Sequence, residues 1–80
     1  MEQFTLINKQ GNRIKIFKKF KSNLPQAEEV IEIEYACVYK RSSKPVMKGS
    51  RVETIEQARK EYKELLEEGW RKTSIYNHYF

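Results

Sequence analysis

The stretch TIEQARKEYKELLEEGW, residues 54–70, has the period of an amphipathic helix and decides the fold class. Its apolar residues recur at intervals of three and four, which places them on one helical face: Ile55, Ala58, Tyr62, Leu65 and Leu66. The opposite face is rich in Glu and Lys at the spacing that allows pairing across one helical turn. The sequence therefore predicts one helix over about residues 54–68.

Both ends of this helix are marked by capping residues in the sequence. Thr54 is a suitable N-cap, and Gln57 follows it at the capping-box spacing. Gly69 is suitable for a left-handed C-cap, in which case Trp70 folds back on the last turn near Leu65.

Upstream of the helix the apolar period changes to two, which is typical of strands. The clearest strand is EVIEIEYACVYK, residues 29–40. Residues 4–8 and 13–20 resemble a β-hairpin, and VMKGSRVE, residues 46–53, fits a weaker fourth strand. The last ten residues, 71–80, fit either a final strand or an aromatic tail, and their pattern does not decide between the two.

These elements predict an α+β fold in which the helix, over about residues 54–68, covers one face of a three- to four-stranded antiparallel sheet. The length of 80 residues predicts a single domain over 1–80, with a possible aromatic C-terminal tail over 73–80. The expected core consists of Ile14, Ile16, Ile31, Ile33, Tyr35, Cys37, Ile55, Ala58, Tyr62, Leu65, Leu66 and Trp70.

Strand 13–20 departs from a strict alternation, because Phe17 follows Ile16 directly. We therefore expect a bulge or a change of facing near Phe17. Lys15 and Lys18 are expected on a solvated sheet face, opposite or diagonal to glutamates of the neighbouring strand, namely Glu32 and Glu34.

The formal charge of +5 includes a basic cluster to which the sequence assigns no acidic cross-strand partner of the kind expected for Lys15 and Lys18. Its members are Lys40, Arg41, Lys44, Lys48 and Arg51, with serines and a glycine between them. A cluster of this kind on a turn attracts an acidic partner, either phosphate or an acidic protein surface. The alternative is a polar turn whose lysines serve only solubility.

The end of the chain carries aromatic residues where ends usually fray, namely Tyr76, Tyr79 and Phe80. Either they pack against the sheet, or they form a segment that becomes ordered on a partner.

The composition argues against enzymatic, cofactor and metal chemistry, and we expect no enzyme, no cofactor and no metal site. The chain has one cysteine, Cys37, one histidine, His78, and no aspartate, which gives no nucleophile–base pair and too few soft ligands for zinc. The lone cysteine suits a reducing cytoplasm, and no apolar run is long enough to cross a membrane.

The segment RVETIEQARKEYKELLEEGWRK, residues 51–72, resembles the closing helix of several small cyanobacterial proteins of uncharacterised function. The resemblance rests on Ala58, Arg59, Tyr62, Leu65, Gly69 and Trp70. It implies a regulator or accessory subunit that binds a larger enzyme or complex, and it carries over no functional residue.

The sequence thus favours a small cytoplasmic, non-catalytic binding protein that docks on a larger protein or complex with an acidic surface. The basic turn and the aromatic tail would make the contacts. The alternative is a nucleic-acid-binding protein that uses the 40–51 turn together with Lys18, Lys19 and Lys21. The two differ in salt response, because phosphate binding weakens steeply as salt rises.

Overall fold

Five antiparallel strands and one helix form the fold in the computed structural model, which describes residues 3–20, 30–40 and 43–76. In chain order they are β1 (Gln3–Ile7), β2 (Arg13–Phe20), β3 (Val30–Cys37), β4 (Val46–Thr54), α1 (Ile55–Glu67) and β5 (Arg71–Thr73). The order across the sheet is β4-β3-β2-β1-β5. The predicted α+β class with a single C-terminal helix is confirmed, and β5 adds a fifth strand in the segment that the sequence left undecided.

The helix is capped at both ends as its sequence predicted. The Thr54 hydroxyl accepts a hydrogen bond from the Gln57 amide at 3.2 Å. At the other end Gly69 has a φ of 101°, and the Trp70 amide donates to the Leu65 carbonyl at 3.0 Å. The Gly69 amide donates to Leu66 at 3.1 Å, which completes a Schellman motif. Trp70 then packs against the cluster that contains Leu65.

Apolar residues lie on both faces of the sheet, so the protein has two cores. Under the helix the buried cluster contains Leu6, Phe17, Ile33, Ala58 and Leu65. On the reverse face the buried cluster contains Ile14, Ile16, Ala36, Val38 and Tyr76. Strand β2 contributes to both clusters, because its side chains alternate between the two faces.

This alternation corrects two expectations about β2. The pairing of β2 with β3 is continuous from Arg13–Cys37 to Phe20–Val30, so there is no bulge near Phe17. Instead the strand alternates strictly, and its isoleucines face away from the helix, where Ile14 and Ile16 are fully buried. The irregularity of the sheet lies between β3 and β4, at Tyr35/Ala36.

The predicted core is otherwise correct in part. Ile33, Ala58 and Leu65 are buried, while the partly buried members are Ile31, Cys37, Ile55, Tyr62 and Trp70. Leu66 and Tyr35 were wrongly placed in the core, since Leu66 is 41% exposed and Tyr35 is also exposed. Leu66 lies at the edge of the apolar helical stripe, one residue beyond Leu65, and is turned to solvent.

The described part of the chain contains no helix that is both long enough and apolar enough to span a bilayer.

Candidate functional site

The end of the β3–β4 hairpin carries most of the predicted basic residues. We call residues 39–40 and 43–48 the hairpin tip. A hydrogen bond from the Ser43 amide to the Lys40 carbonyl, at 3.1 Å, closes the turn. Lys40, Lys44 and Lys48 are all exposed here, so the structure brings these three predicted site residues together. Arg41 lies outside the described residues.

Exposed apolar side chains lie among these lysines. Tyr39 is 69% exposed, and Val46 and Met47 at the start of β4 are exposed as well. Large apolar side chains that cluster on a surface, with charged residues around them, are typical of protein interfaces. The sequence pointed to the lysines, but it did not identify Val46 and Met47 as exposed residues of the hairpin tip. As consecutive residues of β4, these two lie on opposite faces of the sheet at its edge.

Lys48 and Tyr39 interact directly at the hairpin tip. The Lys48 Nζ atom lies 5.5 Å from the centroid of the Tyr39 ring, within cation–π range. A hydrogen bond between the two side chains raises the pKa of the Lys48 ammonium, and the charge of an ionised Tyr39 acts in the same direction. Like any exposed lysine, Lys48 is charged at neutral pH, and its ammonium lies on one side of the Tyr39 ring.

Next to the hairpin tip, Gly49 allows Tyr35 to lie flat across β4. The two residues are register partners, and a Cβ at position 49 would collide with the Tyr35 hydroxyl. Tyr35 is thus exposed beside the hairpin tip rather than packed under the helix.

Arg51 differs from the lysines, because it forms ion pairs with two glutamates, one in β4 and one in α1. Its Nε donates to Glu53 at 2.8 Å, and its guanidinium also pairs with Glu61 of α1. The basic cluster was expected to lack such partners, and for Arg51 that expectation is wrong. Glu61 is ten residues away in sequence and comes close only because α1 folds back over the sheet.

The aromatic tail divides into a buried part and a part that lies outside the described residues. Tyr76 is 3% exposed and belongs to the reverse-face core, so its ring is not available to a partner in this conformation. Of the two alternatives for the tail, packing against the sheet is the correct one for Tyr76. Tyr79 and Phe80 lie outside the described residues.

The basic residues of β2 point in two directions. Lys18 forms the expected cross-strand pair, with its Nζ 3.0 Å from Glu34. Contrary to expectation, Lys15 does not lie on the same sheet face as Lys18. Its Nζ lies 5.7 Å from the centroid of the Trp70 ring, on the helix side of the sheet. Burial lowers the pKa of Lys15, and the positive charge of Arg51 lowers it further. Lys19 is exposed, and Lys21 lies outside the described residues.

Potential metal ligands are not clustered. Among residues 3–20, 30–40 and 43–76, no three His, Cys, Asp or Glu side chains come together as a metal site would require. Cys37 is a free thiol of intermediate burial at the end of β3.

This fold and surface define a small, basic α+β protein whose hairpin tip carries exposed aromatic and apolar residues together with lysines. The chain belongs to the DUF1651 family, described as protein of unknown function, whose model matches residues 6–75. That match agrees with the expectation of a small uncharacterised family. No curated protein and no solved structure is significantly similar to the chain.

Proposed function

We propose that this protein is a small non-catalytic binding protein, a regulator or accessory subunit, which docks on a larger protein through its hairpin tip. The observation that carries the proposal is the exposure of Tyr39, Val46 and Met47 together at the end of one hairpin. Tyrosine is a favoured anchor at interfaces, because it buries a large area and loses few rotamers.

The charge around this surface supports an acidic partner. Lys40, Lys44 and Lys48 lie in the same hairpin tip as the exposed apolar residues, and none of the three has an ion pair with another described residue. Such rim charges mainly accelerate association and select against basic partners. Residues 51–72 resemble the closing helix of small cyanobacterial proteins of uncharacterised function, and this resemblance implies the same class of function. The lone cysteine, Cys37, supports a cytoplasmic location.

Fewer residues of the C-terminal tail can contact the proposed partner than the sequence suggested. Since Tyr76 is in the core, the proposed contacts come from the hairpin tip, and the tail contributes at most through Tyr79 and Phe80.

The test is a comparison of two variants in a tagged pull-down from native lysate. The double variant Tyr39→Ala/Met47→Ala removes two exposed side chains of the hairpin tip. Val52→Ala is the matched control, because Val52 is an exposed apolar residue of the same strand, farther from the tip. We expect Val52→Ala to retain a captured protein that the double variant loses. The affinity of the double variant for that protein should fall by roughly 30-fold or more. Equal capture by both variants would contradict the proposal.

Nucleic-acid binding remains the second candidate, because an exposed aromatic ring beside lysines also suits base stacking and phosphate contacts. The expected nucleic-acid contacts no longer include Lys18, because Lys18 forms an ion pair with Glu34. A fluorescent single-stranded oligonucleotide, titrated at two salt concentrations, tests it. Tight binding that weakens steeply with salt, together with loss of the captured protein after nuclease treatment, would favour this second function over protein docking.

A further inference from the structure

A groove between the helix and the sheet lies at the other end of β3 from the hairpin tip. It has a volume of about 350 Å³, at the lower end of the range for small-molecule sites. Six apolar or aromatic residues from β1, β2, β3 and α1 line it: Phe4, Phe17, Ile31, Ile55, Ala58 and Tyr62.

Aromatic rings form much of the groove wall. Tyr62 contacts Phe17 edge-to-face with ring centroids 5.4 Å apart, and it contacts Phe4 in the same way at 6.3 Å. Phe4 is nonetheless 46% exposed, so a large apolar surface remains open to solvent at this groove. An apolar ligand body would remove that surface from water.

Cations complete the lining, and none of the described residues that line the groove is acidic. Lys19, Arg59 and Lys72 contribute the charge, from β2, α1 and β5. The Lys72 Nζ lies 5.6 Å from the Phe4 centroid and 6.0 Å from the Tyr62 centroid, which places a positive charge directly over the aromatic wall. Arg59 makes no ion pair with any residue that the structure describes.

We propose that this groove binds a small amphipathic carboxylate, with its apolar body against the aromatic wall and its carboxylate at Arg59 and Lys72. The apolar lining selects the body, and the positive charges of Arg59 and Lys72 select a negative head group. The volume limits the ligand to a small molecule, which separates this site from the protein-docking surface at the hairpin tip.

The probe is decanoate, titrated into the ¹⁵N-labelled full chain and followed by amide chemical shifts. We expect saturable binding, with the largest shifts at Phe4, Arg59 and Lys72 and none at Tyr39 or Met47. Two further probes separate the parts of the ligand: 1-decanol keeps the body without the charge, and acetate keeps the charge without the body. Both are expected to bind at least tenfold more weakly than decanoate.

Charge-removing variants locate the head group. Arg59→Gln and Lys72→Gln are each expected to weaken decanoate binding about tenfold, the usual effect of losing one charge-assisted contact. Lys60→Gln is the matched control, since it removes the same charge from the same helix outside the groove, and its affinity should equal that of the original chain. The well-dispersed amide spectrum of each variant reports that the fold is intact.

The proposal is overturned by any of three results. They are the absence of saturable decanoate binding, equal affinity for decanol, and unchanged affinity in both groove variants. Shifts that cluster at the hairpin tip instead of the groove would overturn it as well.

Discussion

Removal of one hydroxyl group is expected to stabilise this protein. The Tyr62 hydroxyl is buried and has no hydrogen-bond partner within the described residues. Its ring, by contrast, makes edge-to-face contacts with Phe17 and Phe4. Tyr62→Phe keeps the ring and both contacts, and it removes only the polar atom. In the folded protein that atom has lost its hydrogen bonds to water and has gained none with the described residues.

The size of the gain follows from two opposing terms. A buried donor without a partner costs about 1–3 kcal/mol, and the substitution recovers that cost. Loss of the oxygen also removes a few dispersion contacts at about 0.1–0.2 kcal/mol each, less than ~1 kcal/mol together. The net expectation is an increase of roughly 1 kcal/mol in the free energy of unfolding. For a domain of this length, 1 kcal/mol raises Tm by about 4–8 °C.

Urea denaturation and a thermal melt, both followed by far-ultraviolet circular dichroism, measure this gain. The slope of the urea transition should stay the same, because the surface exposed on unfolding barely changes. Tyr39→Phe is the matched control: it removes a hydroxyl from a side chain that is 69% exposed, so its stability should lie within about 0.5 kcal/mol of the original. A Tyr62→Phe protein that is equally or less stable would refute the reasoning, because it would mean that the hydroxyl is satisfied in solution.

Three further substitutions test other parts of the fold, each by urea denaturation. Gly69→Ala forces a Cβ into a φ of 101° at the helix C-cap and should cost about 1–2 kcal/mol; a neutral result would mean that the cap relaxes. The Glu34 side chain raises the pKa of Glu32 by hydrogen bonding, and burial adds to it, so ionised Glu32 destabilises the fold. Glu32→Gln should therefore be slightly more stable than the original at pH 7, by less than ~1 kcal/mol, and this difference should vanish below the unfolded pKa of about 4.3; a difference independent of pH would exclude ionisation as its cause. Tyr76→Ala should cost about 3–5 kcal/mol, whereas Ile75→Ala, at a side chain 57% exposed, should change stability by under ~0.5 kcal/mol; equal effects would exclude Tyr76 from the core.

The helix and the β3 strand could be predicted because their signals are local. Thr54, Gln57 and Gly69 act within one helical turn, and the structure uses each in the expected role. The class of the fold follows from the change of period alone, since one amphipathic helix requires one sheet face to cover.

The facing of β2 could not be predicted, because both of its faces are apolar in part. A sheet covered on one side would have its isoleucines under the helix, and that assumption misplaced Ile14 and Ile16. Their buried cluster includes Tyr76, some sixty positions away, and nothing in the local pattern connects Tyr76 with the two isoleucines. The pairing of Arg51 was also not predictable from the local pattern, because its partner Glu61 lies ten residues away on the helix.

The sequence predicted the basic residues of the hairpin tip, but it did not predict that Val46 and Met47 are exposed beside them. The high density of basic residues in this segment was enough to identify Lys40, Lys44 and Lys48. The exposure of Val46 and Met47 depends on where β4 lies in the sheet, and an edge position leaves both without a neighbour on one side.

The order of the strands also bears on how the protein folds. Strands β1, β2 and β3 each pair with the next strand in the chain, so these three hairpins close short loops. β5 pairs with β1 across almost the whole described chain, as Leu6 with Lys72. Closing so long a loop costs more entropy, and three residues of strand offset little of it.

We therefore expect the β1–β4 meander to form first and β5 to dock last, with Tyr76 arriving beside Ile14 and Ile16 at the same step. During synthesis the reverse-face core stays uncovered until residues 71–76 have left the ribosome, so a nascent chain passes through a stage in which two fully buried isoleucines face solvent.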